Sequence, residues 1–577
     1  MERLFDLEPQ SASTGPVECL GITFPSDKER REYFLEKLRE KLNDPEFRKI
    51  EGLPIGSDED ILALSDPPYY TACPNPFITD FFRHYGVAHE TPTYFRLPFC
   101  GEMKSSTRHP VYSFHPYHTK VPPEVIRSLI EHYTEPGDIV FDGFCGTGMT
   151  GVAARECGRH AILGDLCPIA TFISSVNNMS HDWRLALVEL ERIITESEER
   201  FGYLYRTREA GRVLAVNYFV WSDVFTCPEC VFEFPFFPHG VIHSGNKVET
   251  RRWFPCPSCG AELNIRRVER VIVHEGKKKQ LVWVNAGSGR TRVNRPPTER
   301  DLALLAEIES LTIPTWYPAD RLNPDGYSAK LAQLGDKAIT DVSRFLSTRN
   351  LIVFSDLWSR LSSIEDNAIR NLCKATLTSV FTVISERQGY FGGGGGMSGN
   401  LYMPVVRMEK NIYDSLRRKL SKLEVAEKNK EGHLGVSATT TQSLTTMAVV
   451  PDASVDYIYT DPPFGANIIY SEMNLILEGW LRVRTNDSSE AVIDPTRNRA
   501  FDDYATLMKR CFRECYRVLR PGRWMTVEFH NTMASVWNLI QTAIGESGFV
   551  VAQVDVFDKG STTILADIRP GAAKLDL

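Results

Sequence analysis

Two stretches of this chain set an acid, two prolines and an aromatic in a row: YTDPPFG at 459–465 and SDPPYY at 65–70. A carboxylate followed by two residues of fixed φ is a hydrogen-bond acceptor on a rigid support, and the ring beside it is a flat apolar surface. The copy at 459–465 ends the apolar alternation VDYIY, so Asp461, Pro462, Pro463 and Phe464 would cap a strand. A second signal is FDGFCGTGMTG at 141–151, a glycine-rich turn between a buried strand and a helix. Such a turn lets backbone approach a ligand closely while the helix N-terminus offers unpaired amides, although many α/β folds use one for packing alone. Asp165 ends the next strand, where a carboxylate can hold ribose hydroxyls, and PYHTKVPPEVIRSLI places Lys120 and Pro122 just upstream. The third signal is a pair of knuckles, CPEC at 227–230 and CPSCG at 256–260. Cys227, Cys230, Cys256 and Cys259 at this spacing predict a tetrahedral thiolate site for Zn2+, closed by four protein ligands and therefore structural.

The elements that must position these residues follow from periodicity. From 121, VPPEVIRSLIEHY reads as a helix, GDIVFDGF as a turn into a buried strand, TGMTGVAARECG as a helix closed by Gly158, and HAILGD as a second strand. The same texture returns from 455: VDYIYT as a strand, MNLILEGWLRV and YATLMKRCFRECYRVL as helices with Cys511 and Cys515 in the core, WMTVEFH as a strand, then FVVAQVDVF. This alternation predicts one doubly wound α/β domain split by a long insertion. The predicted organisation is a Pro/aromatic-rich extension over 1–110, the first half of the domain over 111–200, a cysteine ribbon with a basic hairpin over 201–300, a mainly helical insertion for target recognition over 301–435, and the second half over 436–577.

HTKVPPEVI, DGFCGTG, GD and DPPF together, over about 111–180 and 436–560, resemble the S-adenosylmethionine-dependent amino-methyltransferases of nucleic acids, the DNA adenine-N6 and cytosine-N4 methylases. The resemblance implies a Rossmann-like seven-stranded sheet with one antiparallel strand near the C-terminus, for which FVVAQVDVF is the candidate. It also implies that Asp142, Gly143, Phe144, Cys145, Gly146, Thr147 and Gly148 hold the methionine end of the cofactor. Asp165 would hold the ribose, Lys120 and Pro122 would lie beside the pocket, and Gln442 would stand where the family often has an acid near the adenine. An exocyclic base amine is a weak nucleophile because its lone pair is delocalised into the ring. Accepting its two N–H bonds, with Asp461 and the carbonyl of Pro462, favours a pyramidal nitrogen, while Phe464 stacks on the flipped-out base. Asp461 is the expected reacting copy, because it follows a buried strand; Asp66, Tyr69 and Tyr70 are expected to form a structural turn. An aromatic DPP motif favours adenine N6, whereas cytosine-N4 enzymes more often carry Ser at the acid position. Two other readings remain beside this one. TDPPFG also resembles the TDPPYG of tRNA guanine-N2 methyltransferases, and a catalytically idle, zinc-stabilised DNA-binding subunit could keep the same fold.

Composition narrows the setting. The chain has 577 residues, a formal charge of −8 and 13 cysteines. An odd cysteine count without a basic-then-apolar N-terminus points to a reducing, cytoplasmic compartment, and no run of 18 apolar residues suggests a membrane span. A nucleic-acid contact must therefore come from a local patch. Residues 247–300 supply one, with thirteen Lys or Arg against five acids. Lys277, Lys278 and Lys279 in its basic hairpin are expected to grip the phosphates of double-stranded DNA. A nuclease or defence-system partner, as in restriction–modification, is compatible with that reading. The glycine run 392–396 is read as a linker or a ligand-hugging loop beside Tyr390 and Phe391, and His530 with Asn531 as candidate pocket residues.

Overall fold

The strands expected around the glycine turn and the DPPF tip lie side by side in a computed structural model. It describes residues 15–87, 94–101, 103, 108–244, 247–273, 276–332, 339–391, 401–466, 468–529 and 533–555. Six strands form one parallel sheet: β1 (Tyr70–Thr71), β2 (Ile139–Asp142), β3 (His160–Asp165), β4 (Ser437–Thr441), β5 (Val455–Thr460) and β6 (Leu519–Val527). Their spatial order is β6-β5-β2-β3-β4-β1. The chain winds outward from β2 to β3 and β4, then returns to place β5 on the other side of β2. In an open parallel sheet that reversal leaves a crevice at the carboxyl ends of the two central strands.

Both faces of the sheet are covered, so its central strands are buried and largely apolar, the charge of Asp456 in β5 being met by Arg520 and Arg523. Alternation along them divides the core in two. Val140, Ala161, Leu163, Tyr457 and Tyr459 pack against helices α1 (Pro123–Tyr133) and α2 (Met149–Glu156). Ile139, Phe141, Ile162, Ala438 and Ile458 face the opposite side with Phe81, Phe82 and the buried Cys511, Cys515 and Val518 of Phe501–Val518. The Pro pair of HTKVPPEVI starts α1, with Pro122 at the N-cap and Pro123 in the first turn, where the missing N–H costs nothing.

The chain forms two compact units, one of residues 1–187, 365–375 and 422–577, the other of 188–364 and 376–421. Residues 15–87 are not an appendage: they carry helices Asp27–Leu42, Asp58–Leu64 and Ile78–Tyr85 and add β1 to the sheet edge. The second unit is built on a 15-residue strand, Arg212–Thr226, flanked antiparallel by Lys279–Ala286 and Val406–Lys410, so the 301–435 segment is not helical alone. Among the described residues the sheet has six strands, all parallel, and does not include the expected seventh, antiparallel one. Residues 549–555 of FVVAQVDVF form no strand, Val550 being 90% exposed, and 556–557 lie outside the described residues. Among the described residues no helix is long and apolar enough to cross a membrane.

Candidate functional site

The glycine turn leaves β2 at the crevice, and its glycines do different work. Gly146 and Gly148 adopt φ of 49° and 74°, which side-chain-bearing residues rarely take. A Cβ on Gly148 would fall 2.3 Å from Ser174 Oγ, and one on Gly143 2.6 Å from Leu444, so these two permit close packing. A Cβ on Gly146 would meet only Tyr117, at 3.8 Å, so its backbone faces the crevice. Asp142 holds the turn: its carboxylate accepts from Phe144 N–H at 3.1 Å and from the hydroxyls of Thr150 and Thr460 at 2.5 and 3.2 Å. Burial pushes its carboxyl up to about 7 against those bonds. Asp165, at the end of β3, accepts from Gly146 N–H and Cys167 N–H, both at 2.9 Å. Its carboxyl is pushed up to about 6 by burial, and each oxygen keeps a lone pair for a hydroxyl donor.

Asp142, Gly143, Phe144, Cys145, Gly146, Thr147, Asp165 and Lys120 all line one pocket together with Asp461 and Pro463. Lys120 points its ammonium at the backbone: it donates to the carbonyls of Tyr112 and His115, the latter at 2.9 Å, and lies 4.2 Å from the Tyr112 ring centroid. Burial lowers its pKa to about 7. The geometry makes Lys120 a brace for the 112–120 loop. Gly148, Pro122 and Gln442 stand behind the wall, not in it. Gln442 is buried and turns its amide to the sulfur of Met447, while Ser443 and Leu444 face the pocket.

Asp461 follows β5 directly, so the switch point of the sheet brings it to the glycine turn from 313 residues further along the chain. The tip is fixed by its neighbours. Tyr504 donates to the carbonyl of Pro463 at 2.7 Å, and Ile493 N–H to that of Gly465 at 3.3 Å. Phe464 meets Phe529 edge to face, with centroids 5.5 Å apart. Several pocket residues were not foreseen from sequence: Tyr117, Thr119, Tyr470 and Glu490. Thr119 and Tyr470 share a hydrogen bond of 2.9 Å, and Asn474 donates to the Tyr117 hydroxyl at 3.0 Å, tying the lysine loop to helix Tyr470–Leu481. Glu490 accepts from Ser471 N–H at 2.9 Å and from Arg497 at 3.1 Å; burial still raises its pKa. His530 and Asn531 lie outside the described residues.

The other DPP copy faces inward. Asp66 is 4% exposed and pairs with Arg30 at 3.2 Å and Arg31 at 3.8 Å. Its backbone exchanges two hydrogen bonds of 2.9 Å with Tyr70, and Arg30 and Asn75 cover the carbonyls of Pro67 and Pro68, both at 2.8 Å. None of these residues borders the pocket.

In the second unit the four cysteines converge. Their sulfurs lie within 4.8 Å of one another, with Cys227–Cys259 and Cys230–Cys256 both at 3.7 Å. A tetrahedron of thiolates about 2.3 Å from zinc has edges of about 3.8 Å, so the cluster fits that ion and is too open for disulfides. The basic hairpin departs from expectation. Lys278 pairs with Glu233, and Lys279 with Glu386 at 2.6 Å while lying over Trp221, so these two ammoniums are engaged within the protein. The side chain of Lys277 and the run 392–396 lie outside the described residues.

Part of the chain is similar to known proteins. Residues 33–169 match a family model described as DNA methylase, covering both N6 and N4 enzymes. A 117-residue stretch is 29% identical to the Type II methyltransferase M.MjaII of Methanocaldococcus jannaschii, covering 20% of each chain. The chain thus matches about a fifth of that relative's length. No solved structure matches. The family match includes the DPP copy at 65–70 and the glycine turn but stops before Asp461, the copy that shares the pocket with that turn.

Proposed function

We propose that this protein, a member of the adenine-N6/cytosine-N4 DNA methylase family, transfers a methyl group from S-adenosylmethionine to the exocyclic N6 amine of adenine in a flipped-out base of double-stranded DNA. The observation that carries this reading is the crevice that the glycine turn shares with Asp461 and Pro463 of the DPPF tip at the switch point between β2 and β5; Pro462 and Phe464 flank it without lining it. The cofactor supplies a methyl already activated on a sulfonium, so positioning is most of what the chain must provide. Gly146 and the turn around it would receive the methionine end, Asp165 the ribose hydroxyls, and Leu166, Leu444 and Val492 an apolar wall. Asp461 and the Pro462 carbonyl accept hydrogen bonds from the two amine N–H groups, Phe464 stacks on the base, and Tyr504 keeps the tip in place. As the N–CH3 bond forms and the S–CH3 bond breaks, the one N–H proton that must leave passes to the Asp461 carboxylate or to water. The acid at 461 favours adenine over cytosine. In the second unit, Cys227, Cys230, Cys256 and Cys259 would hold one structural zinc.

The test is to incubate the protein with tritiated cofactor and DNA or RNA, digest, and identify the labelled nucleoside. N6-methyladenine in DNA is the expected product. N4-methylcytosine would keep the family and change the base; label in RNA guanine alone, or none, would overturn the proposal. Elemental analysis of protein purified without chelator should find one zinc per chain.

A further inference from the structure

We propose that the outer surface of the cysteine ribbon, centred on Trp253, binds an unpaired stretch of nucleic acid. The inference deepens the function proposed above and rests on nucleic acid being the substrate. Trp253 lies on the strand Trp253–Pro255, paired antiparallel with Glu262–Asn264. The strand alternates: Phe254 is buried with Leu263 in the core around Cys227 and Cys256, while Trp253 points outward and is 48% exposed. Arg251 and Arg252 precede it. Arg266 and Arg267 sit in the turn after Asn264, its cross-strand partner, with their N–H groups bonded back to Asn264 at 3.0 and 2.8 Å.

All four arginines are exposed, and none pairs with a carboxylate among the described residues. The contrast with their neighbours is chemical. Arg270 pairs with Asp223 at 3.4 Å, Lys279 with Glu386 at 2.6 Å, Arg295 with Asp301 at 2.7 Å, and Lys278 with Glu233. Those cations each have a carboxylate partner, whereas the four around Trp253 have none among the described residues, in a chain whose net charge is −8. Exposed arginines flanking an exposed indole along the chain and after its cross-strand partner match a strand that offers phosphates and at least one unstacked base. A continuous duplex offers phosphates but keeps its base faces covered, so the indole selects the unpaired strand.

Anisotropy of a labelled twelve-residue oligothymidylate, and of a twelve-base-pair duplex, titrated with full-length protein at several salt concentrations, tests this. Trp253→Ala should weaken oligothymidylate binding roughly 5- to 100-fold with little change for duplex, and Trp253→Phe should restore most of it. Replacing Arg251, Arg252, Arg266 and Arg267 by Gln should lower the log–log salt slope by up to about 3, whereas Lys278→Gln with Lys279→Gln should leave it nearly unchanged. Circular dichroism and zinc content report whether each variant is folded. Folded Trp253→Ala that binds the oligonucleotide like wild type would overturn the inference. So would four-arginine replacement without effect on affinity or salt slope. Wild type that binds the strand but transfers no methyl group would defeat the proposed activity and leave this surface standing; the reverse pattern would defeat the surface alone.

Discussion

Asp66 and Asp461 sit in nearly the same four-residue sequence, yet the fold uses them in opposite ways. At 66–70 every acceptor turns inward: the carboxylate meets two guanidiniums, both proline carbonyls are taken by side chains, and the turn closes on itself through Tyr70. At 461–464 the tip caps a central strand, borders the pocket, and is braced from behind through Pro463 and Gly465. The difference is one of sheet position. The first copy leads into β1, the outer edge beyond β4, whereas the second follows β5 beside β2, where the winding direction reverses. A rigid acid–aromatic tip is thus a reusable part whose role is decided by what lies beneath it.

The largest effect that could break this comparison is loss of transfer. Asp461→Ala should lower kcat by roughly a thousandfold, the scale of losing a positioned proton acceptor, while calorimetry finds cofactor affinity little changed. Near-normal turnover in that variant would move the reacting role elsewhere. Asp66→Ala should do the opposite. It strips a buried carboxylate from Arg30 and Arg31 and should cost about 3 kcal/mol in urea unfolding, with turnover per folded molecule retained. Equal stability with lost turnover would interchange the two copies.

The acids around the second copy sharpen the contrast through pH. Asp142 and Asp165 have carboxyls raised to about 7 and about 6 by burial, from ordinary values near 4. Between those limits the folded protein binds more protons than the unfolded chain. Their contribution to stability is therefore fully present below about pH 4 and is lost as pH rises toward 7. Lys120, lowered to about 7, acts above that window and in the opposite sense. Asp142→Asn should flatten the stability–pH curve between about pH 4 and 7 by up to about 1.4 kcal/mol per unit, read from urea midpoints across the range. An unchanged slope would mean that the carboxyl is not desolvated.

Much of this frame was legible in the sequence because buried parallel strands advertise themselves. IVFD and VDYIYT are apolar runs closed by the residues that do chemistry, and their order fixes the switch point. The two-residue edge strand Tyr70–Thr71 carries no periodicity and is made only by the pairing that β4 offers. Gln442 missed the pocket by one residue, because β4 ends at Thr441 and the bend that follows brings Ser443 and Leu444 to the front. Lys278 and Lys279 looked free because their partners, Glu233 and Glu386, are 45 and 107 residues away. FVVAQVDVF has strand composition, but propensity of that kind becomes structure only against a neighbouring strand.

The smallest effect tests how the tip is held. The first copy is closed by two backbone hydrogen bonds between Asp66 and Tyr70; the second depends on a side chain, the Tyr504 hydroxyl donating to the Pro463 carbonyl at 2.7 Å. Tyr504 is otherwise buried in an apolar cluster with Met508 and Phe512, so phenylalanine fits its place and removes only the donor. Pro463 borders the pocket, where water can reach its carbonyl, so Tyr504→Phe should cost only about 1 kcal/mol. If the bond sets the angle of the Asp461 carboxylate, that cost appears in turnover: kcat falls about fivefold, with cofactor affinity and urea midpoint nearly unchanged. A loss confined to the urea midpoint would mean that the prolines alone fix the tip, leaving Tyr504 a packing residue.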